Sequence, residues 1–218
     1  NTLGLCYFLL KKYGEADKTL LEALSLNNKN IKILNSLGRL NHERRRSKEA
    51  KIYFDNAISL NPNSFETVNN FAGFYLEEED YLKAIQFYKK ADKLKPNNSV
   101  VINNLAKTYI CIHDVEKAER YCKIAISIDQ KNDEFKKTLA IILLKKYDFK
   151  NAWLSFDGRL GLSDFKEKNP ALKLLRKKIP RNNILDKNAN ILVLREQGVG
   201  DEILYGTMYY DLLNNFKN

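Results

Sequence analysis

Apolar residues recur three and four positions apart along most of the chain, the rhythm of amphipathic helices. Leu34, Leu37 and Leu40 mark one such stretch, and Ile52, Tyr53, Ala57, Ile58 and Leu60 mark the next. The stretches come in pairs, and the pairs repeat. Gly4, Gly38, Ala72, Ala106 and Ala140 stand 34 positions apart. Ala16, Ala50, Ala84, Ala118 and Ala152 keep the same step, as do Ala23, Ala57, Ala91 and Ala125. Large residues follow it too: Leu3, Leu37, Phe71, Leu105 and Leu139; Leu20, Phe54, Tyr88, Cys122 and Phe156; Tyr7, Tyr75 and Tyr109. Pro62 and Pro96 close two of the units.

A small residue at a fixed place lets two helices approach closely, and large side chains fill the space beside it. One such hairpin cannot bury its apolar face alone, so successive hairpins must stack. The series Leu-Gly/Ala, Tyr, Ala, aromatic, Ala, Pro in residues 31–64 and 65–98 resembles the tetratricopeptide repeat. Residues 99–132 fit with Gln130 in the proline position, residues 1–30 are an incomplete first unit, and residues 133–162 are a fifth that decays where Arg159 replaces a small residue. The resemblance implies an all-α fold, a right-handed superhelix of helical hairpins. It also implies that the first helix of each hairpin lines a concave groove holding a peptide or protein partner.

Two columns on those first helices are rich in amides. Asn1, Asn35, Asn69 and Asn103 form one, and Thr2, Ser36, Asn70, Asn104 and Thr138 form the other. An Asn amide carries a donor and an acceptor, so it can clamp a peptide backbone whatever its side chains. The second column is similar to the asparagine ladder of O-linked N-acetylglucosamine transferase, with only Asn70 and Asn104 matching it strictly. Arg39 and Lys107, one turn beyond Asn35 and Asn103, are placed to meet acidic groups on a partner. The expected groove residues are therefore Asn35, Arg39, Asn69, Asn70, Asn103, Asn104 and Lys107. The carboxylate clamp of the co-chaperone subgroup is not matched, because Val100 stands where that clamp needs Lys. Interleaved aromatics such as Phe71, Phe74, Tyr75, Phe87 and Tyr88 sit at helical spacing and are expected in the core.

The rhythm stops after Phe156. The expected organisation is an array over 1–162, a basic linker over 163–188 holding Pro170 and Pro180, and the start of an α/β unit over 189–218. Residues 190–195 read as a strand, Glu196-Gln-Gly-Val-Gly-Asp201 as a glycine-rich turn, and residues 203–213 as a helix. A Trp-aromatic-acid-x-Arg-Leu segment followed by this turn resembles bacterial repeat–glycosyltransferase fusions related to the heptosyltransferases. That resemblance implies Asp201 as general base and Gly198 and Gly200 as shapers of a phosphate or substrate loop. Asp157-Gly158-Arg159 departs from the acid-Trp-Arg usual there. The chain stops at Asn218, short of a donor-binding half, so the fragment itself is expected to need no cofactor and to transfer nothing. A complete parent would use a sugar nucleotide. The chain in hand begins inside a helical pattern, at Asn1 and without Met, which reads as a cut N-terminal end.

Composition narrows the alternatives. No apolar run reaches the roughly 18 residues a membrane span needs. Three cysteines, Cys6, Cys111 and Cys122, lack metal-ligand spacing and point to a reducing cytoplasm. Two histidines, His42 and His113, leave little for a zinc site, so no metal is expected. The net charge is +10, yet Asn occurs 25 times, and a drift toward Lys, Asn and Ile explains the excess better than nucleic-acid binding does. The expected function is a protein-interaction scaffold, the acceptor-recognition part of a larger glycosyltransferase; the alternative is a stand-alone assembly scaffold without enzymatic activity.

Overall fold

A computed structural model describes residues 2–148, 151, 152 and 155. Among the described residues there are nine helices and no strand: α1 (Thr2–Leu9), α2 (Tyr13–Leu26), α3 (Ile31–Glu43), α4 (Ser47–Leu60), α5 (Phe65–Glu77), α6 (Tyr81–Leu94), α7 (Ser99–Cys111), α8 (Val115–Ile128) and α9 (Asp133–Lys145). The chain divides into two units, Asn1–Phe165 and Lys166–Asn218. The helices belong to the first; the strand, loop and helix expected in 189–218, with Gly198, Gly200 and Asp201, lie outside the described residues, as does Asn1.

Helices α1 to α8 pair as four hairpins, and α9 opens a fifth against α7 and α8. Each turn inside a hairpin passes through one residue in the left-handed region: Lys11, Arg45, Glu79, His113 and Tyr147, with φ between 58° and 62°. These are again 34 positions apart, and none is glycine. The first helices start from side-chain caps on the same period. Asn30, Ser64, Asn98 and Asn132 each accept a bond from an N–H of the first turn, at 3.0–3.4 Å. A cap of this kind stabilises a helix by about 1 kcal/mol. Two of the second helices are capped by Asp80 and Asp114. Three of the 25 asparagines therefore serve helix starts.

The small columns do what their size suggests. Ala16, Ala50, Ala84 and Ala118 are fully buried, and so are Ala57, Ala91 and Ala125. At Gly38 the approach is close: an added Cβ would lie 2.7–2.9 Å from three ring atoms of Phe54. Phe54 stacks on Phe71 at 5.4 Å, and Phe71 continues the aromatic core to Tyr75 at 4.5 Å and Phe87 at 5.0 Å. The aromatics are core, as expected. Ile52 is a correction to the helical pattern: it is 58% exposed, because α4 buries the stripe through Ala50, Phe54 and Ala57 instead. Leu3 is also open at 57%, although its 34-step counterparts Leu37 and Leu105 are buried. No described helix packs ahead of α1 to cover it.

Ion pairs tie neighbouring hairpins. Arg44 meets Asp17 at 2.8 Å, and Lys146 meets Glu119 at 2.6 Å. No described helix is long and apolar enough to cross a membrane. No group of three His, Cys, Asp or Glu among the described residues could hold a metal ion.

Candidate functional site

The first helices α1, α3, α5 and α7 share one face, and a cleft of about 400 Å³ opens along it. Five of the seven expected groove residues line this cleft: Arg39, Asn69, Asn70, Asn104 and Lys107. Asn35 and Asn103 do not. They are 1% and 2% exposed, turned into the contact between adjacent first helices. Asn35 donates from Nδ2 to Thr67 Oγ1 at 2.9 Å, locking α3 to α5. Asn35 and Asn103 are thus buried away from the cleft, whereas Asn69, in the same column, reaches it.

Polar atoms in these amides are short of partners. Asn69 Oδ1 and Asn70 Nδ2, both in cleft-lining residues, are covered and have no hydrogen bond, and the same holds for Asn35 Oδ1 and Asn103 Oδ1. Thr67 serves Asn35, but the equivalent positions one and two repeats on are Val101 and Phe135, whose side chains offer no hydrogen bond. A buried polar atom left unpaired costs about 1–3 kcal/mol.

The cations are differently held. The Arg39 guanidinium lies 5.3 Å from the centre of the Phe8 ring, a stacking contact that positions its fork on the cleft wall. Lys107 pairs with Glu134 at 2.7 Å across α7 and α9, with both side chains more than a third exposed. Such a pair is worth little and exchanges readily for another carboxylate. Glu43 and Glu77 also line the cleft, so its charge is nearly balanced. His42 sits beside them, 3.5 Å from Glu77 and edge-on to Phe74 at 5.2 Å. His42 is thus a groove residue, whereas His113 is an exposed turn residue.

Cleft residues that the sequence did not place there include Phe8, Gly73, Phe74 and Tyr88. Gly73 carried a signal. It occupies the place of Arg39 and Lys107 in the repeat between them, a glycine in mid-helix where a long cation would be expected. A Cβ there would meet only the Tyr88 hydroxyl, at 3.6 Å. Burial pushes the Tyr88 phenol well above its ordinary range, so it remains neutral.

Residues 1–30, 31–64 and 75–142 match family models described as tetratricopeptide repeat. The chain belongs to the tetratricopeptide repeat family. The matches together span more than half of the chain. A solved structure of PilF from Pseudomonas aeruginosa is similar, with 21% identity, a TM-score of 0.66, and 72% of each chain covered. A thermophilic repeat protein of Thermus thermophilus superposes with a TM-score of 0.66 at 16% identity, over 82% of this chain and 97% of its own. MamA from Desulfovibrio magneticus does so at 0.64 and 18%, over 81% and 93%. At these identities the likeness establishes the tetratricopeptide fold. No curated protein matches the chain. Tetratricopeptide arrays act as scaffolds whose concave surfaces bind other proteins.

Proposed function

We propose that this tetratricopeptide array binds an extended peptide segment of a partner protein in the cleft along α1, α3, α5 and α7. The observation that carries the reading is the convergence of Asn69, Asn70, Asn104, Arg39 and Lys107 on one cleft, with Asn69 and Asn70 each holding an unpaired amide atom. A peptide backbone offers one N–H and one C=O per residue, the complement of such an amide pair. Arg39 and Lys107 add sites for carboxylates flanking the bound segment.

The test is selection of random dodecapeptides displayed on phage by the immobilised full chain, followed by site-specific photo-crosslinking. A benzoylphenylalanine at position 43, beside the cleft, should capture the selected peptides. The same group at the exposed position 52 of α4 should not. Equal capture from both positions would refute the groove.

A finer reading is that the array presents an acceptor protein to a glycosyltransferase in a longer parent polypeptide. Its support is the sequence Glu196-Gln-Gly-Val-Gly-Asp201 after the repeats. In that parent Asp201 would take the proton from the acceptor hydroxyl, Gly198 and Gly200 would shape the loop, and a sugar nucleotide would be the donor. Transfer of labelled sugar by the complete polypeptide, lost on Asp201→Asn, is the expected result; no transfer from any of a panel of sugar nucleotides leaves a stand-alone assembly scaffold. The three unpaired thiols, Cys6, Cys111 and Cys122, support a reducing, cytoplasmic setting.

A further inference from the structure

Two departures from the repeat pattern fall in the same hairpin. At the groove position held by Arg39 in α3 and Lys107 in α7, α5 has Gly73. In the column of Leu20, Phe54, Cys122 and Phe156, α6 has Tyr88, the one member with a hydroxyl. The structure joins them. The Tyr88 ring is buried, with the residue only 2% exposed, and its oxygen ends 3.6 Å from where a Cβ of Gly73 would be. That hydroxyl makes no hydrogen bond among the described residues, although it lines the cleft. Phe54 and Phe74 supply apolar surface beside it, and Asn70 stands at the rim.

We propose that Gly73 and Tyr88 form a side-chain pocket in the groove floor, which accepts one Tyr or Trp of the bound peptide and hydrogen-bonds its polar atom to the Tyr88 hydroxyl. The inference rests on the peptide-groove reading and adds to it the residue class that decides specificity. The missing side chain at Gly73 gives access, and a long cation there would close it. The aromatic walls match a planar ring. The neutral hydroxyl matches a phenol or indole better than a fully apolar Phe, since a ring seated over it without a partner to offer would leave it covered and unpaired. The whole cleft holds about 400 Å³, the small end of ligand pockets, and the Gly73–Tyr88 floor is one part of it. Large aromatics are also the side chains that dominate affinity in such interfaces.

The experiment uses the full chain and the phage-selected dodecapeptides. Aligned peptides should share one Tyr or Trp, and its replacement by Ala should weaken binding at least tenfold. Gly73→Leu, which fills the pocket, should weaken the same peptides at least tenfold while melting no lower than the parent, because Leu is a better helix former than Gly. Tyr88→Phe should abolish the preference for a peptide Tyr over a peptide Phe, the two changes being non-additive. Peptides bound in the groove, sensitive to Asn70→Ala yet indifferent to Gly73→Leu, would overturn the pocket and leave the groove reading standing. Failure to select any groove-bound peptide would overturn both.

Discussion

Two glycines in successive hairpins, Gly38 and Gly73, should respond to the same substitution with opposite signs. Replacing a mid-helix glycine by alanine stabilises a helix by about 1 kcal/mol where there is room, since alanine loses less backbone freedom. At Gly73 there is room: the nearest atom to the new methyl is the Tyr88 oxygen at 3.6 Å. Gly73→Ala should therefore stabilise by up to about 1 kcal/mol. At Gly38 the methyl would lie 2.7–2.9 Å from the Phe54 ring. The ring is held by Phe71 at 5.4 Å and Phe74 at 5.7 Å and is 1% exposed, so it shifts only by disturbing that packing. Overpacking of this kind costs about 1–3 kcal/mol, against a helix gain of about 1, and Gly38→Ala should lose up to roughly 2 kcal/mol net. Urea unfolding followed by circular dichroism reads both variants. A repeat array need not unfold in one step, so the shift in midpoint against the parent is the quantity to compare. Combining Gly38→Ala with Phe54→Leu should recover part of the loss. If Gly38→Ala raised the midpoint as Gly73→Ala does, the argument from close packing under Gly38 would be wrong.

Three further outcomes follow from local features. Glu79→Gly, at a turn residue with φ of 62°, should raise the midpoint, because a left-handed non-glycine residue costs about 1–2 kcal/mol and glycine's extra chain entropy offsets only part of that. Asn98→Ala removes the cap on Val101 N–H and should cost about 1 kcal/mol in the same assay. Hydrogen bonds from Lys123 and then Lys146 hold the Glu119 carboxyl below its ordinary value of 4.5. The stability it contributes is present above pH 4.5 and is lost as pH falls through the lowered folded value, so Glu119→Gln should unfold more easily than the parent at pH 7, with the gap closing in strong acid.

The period of 34 was legible because it combines size with spacing, and only a stacked hairpin explains both. Gly38 against Phe54 is a packing fact that the columns state outright. What the sequence hid was orientation. Helical spacing places Ile52 with the core residues, yet the second helix of a hairpin buries only a narrow stripe, and Ile52 falls outside it. Asn35 and Asn69 share a column and read alike, but only Asn35 has a threonine to donate to; Val101 stands in the place of Thr67 one repeat later, and Asn69 lines the cleft. Asn98 and Asn132 looked like part of a general Asn excess, and the structure makes them helix caps. Gly73 and Tyr88 could have been found by asking of every column which repeat breaks it, since both breaks fall in one hairpin.

The distribution of charge bears on how a partner arrives. Eight Lys or Arg against two acids fall in residues 166–187, so six of the ten net positive charges belong to that segment, outside the described residues. The cleft itself sets Arg39 and Lys107 against Glu43 and Glu77, and Lys107 is already paired with Glu134. A site so balanced has no strong field to draw a charged ligand from a distance, unlike a phosphate-binding surface, whose affinity falls by orders of magnitude with moderate salt. Groove peptides should consequently bind with affinities that change less than about tenfold between roughly 50 and 200 mM salt, measured by fluorescence anisotropy on the full chain. A far steeper dependence would mean that the basic segment, and not the amide and aromatic surface of the cleft, holds the ligand.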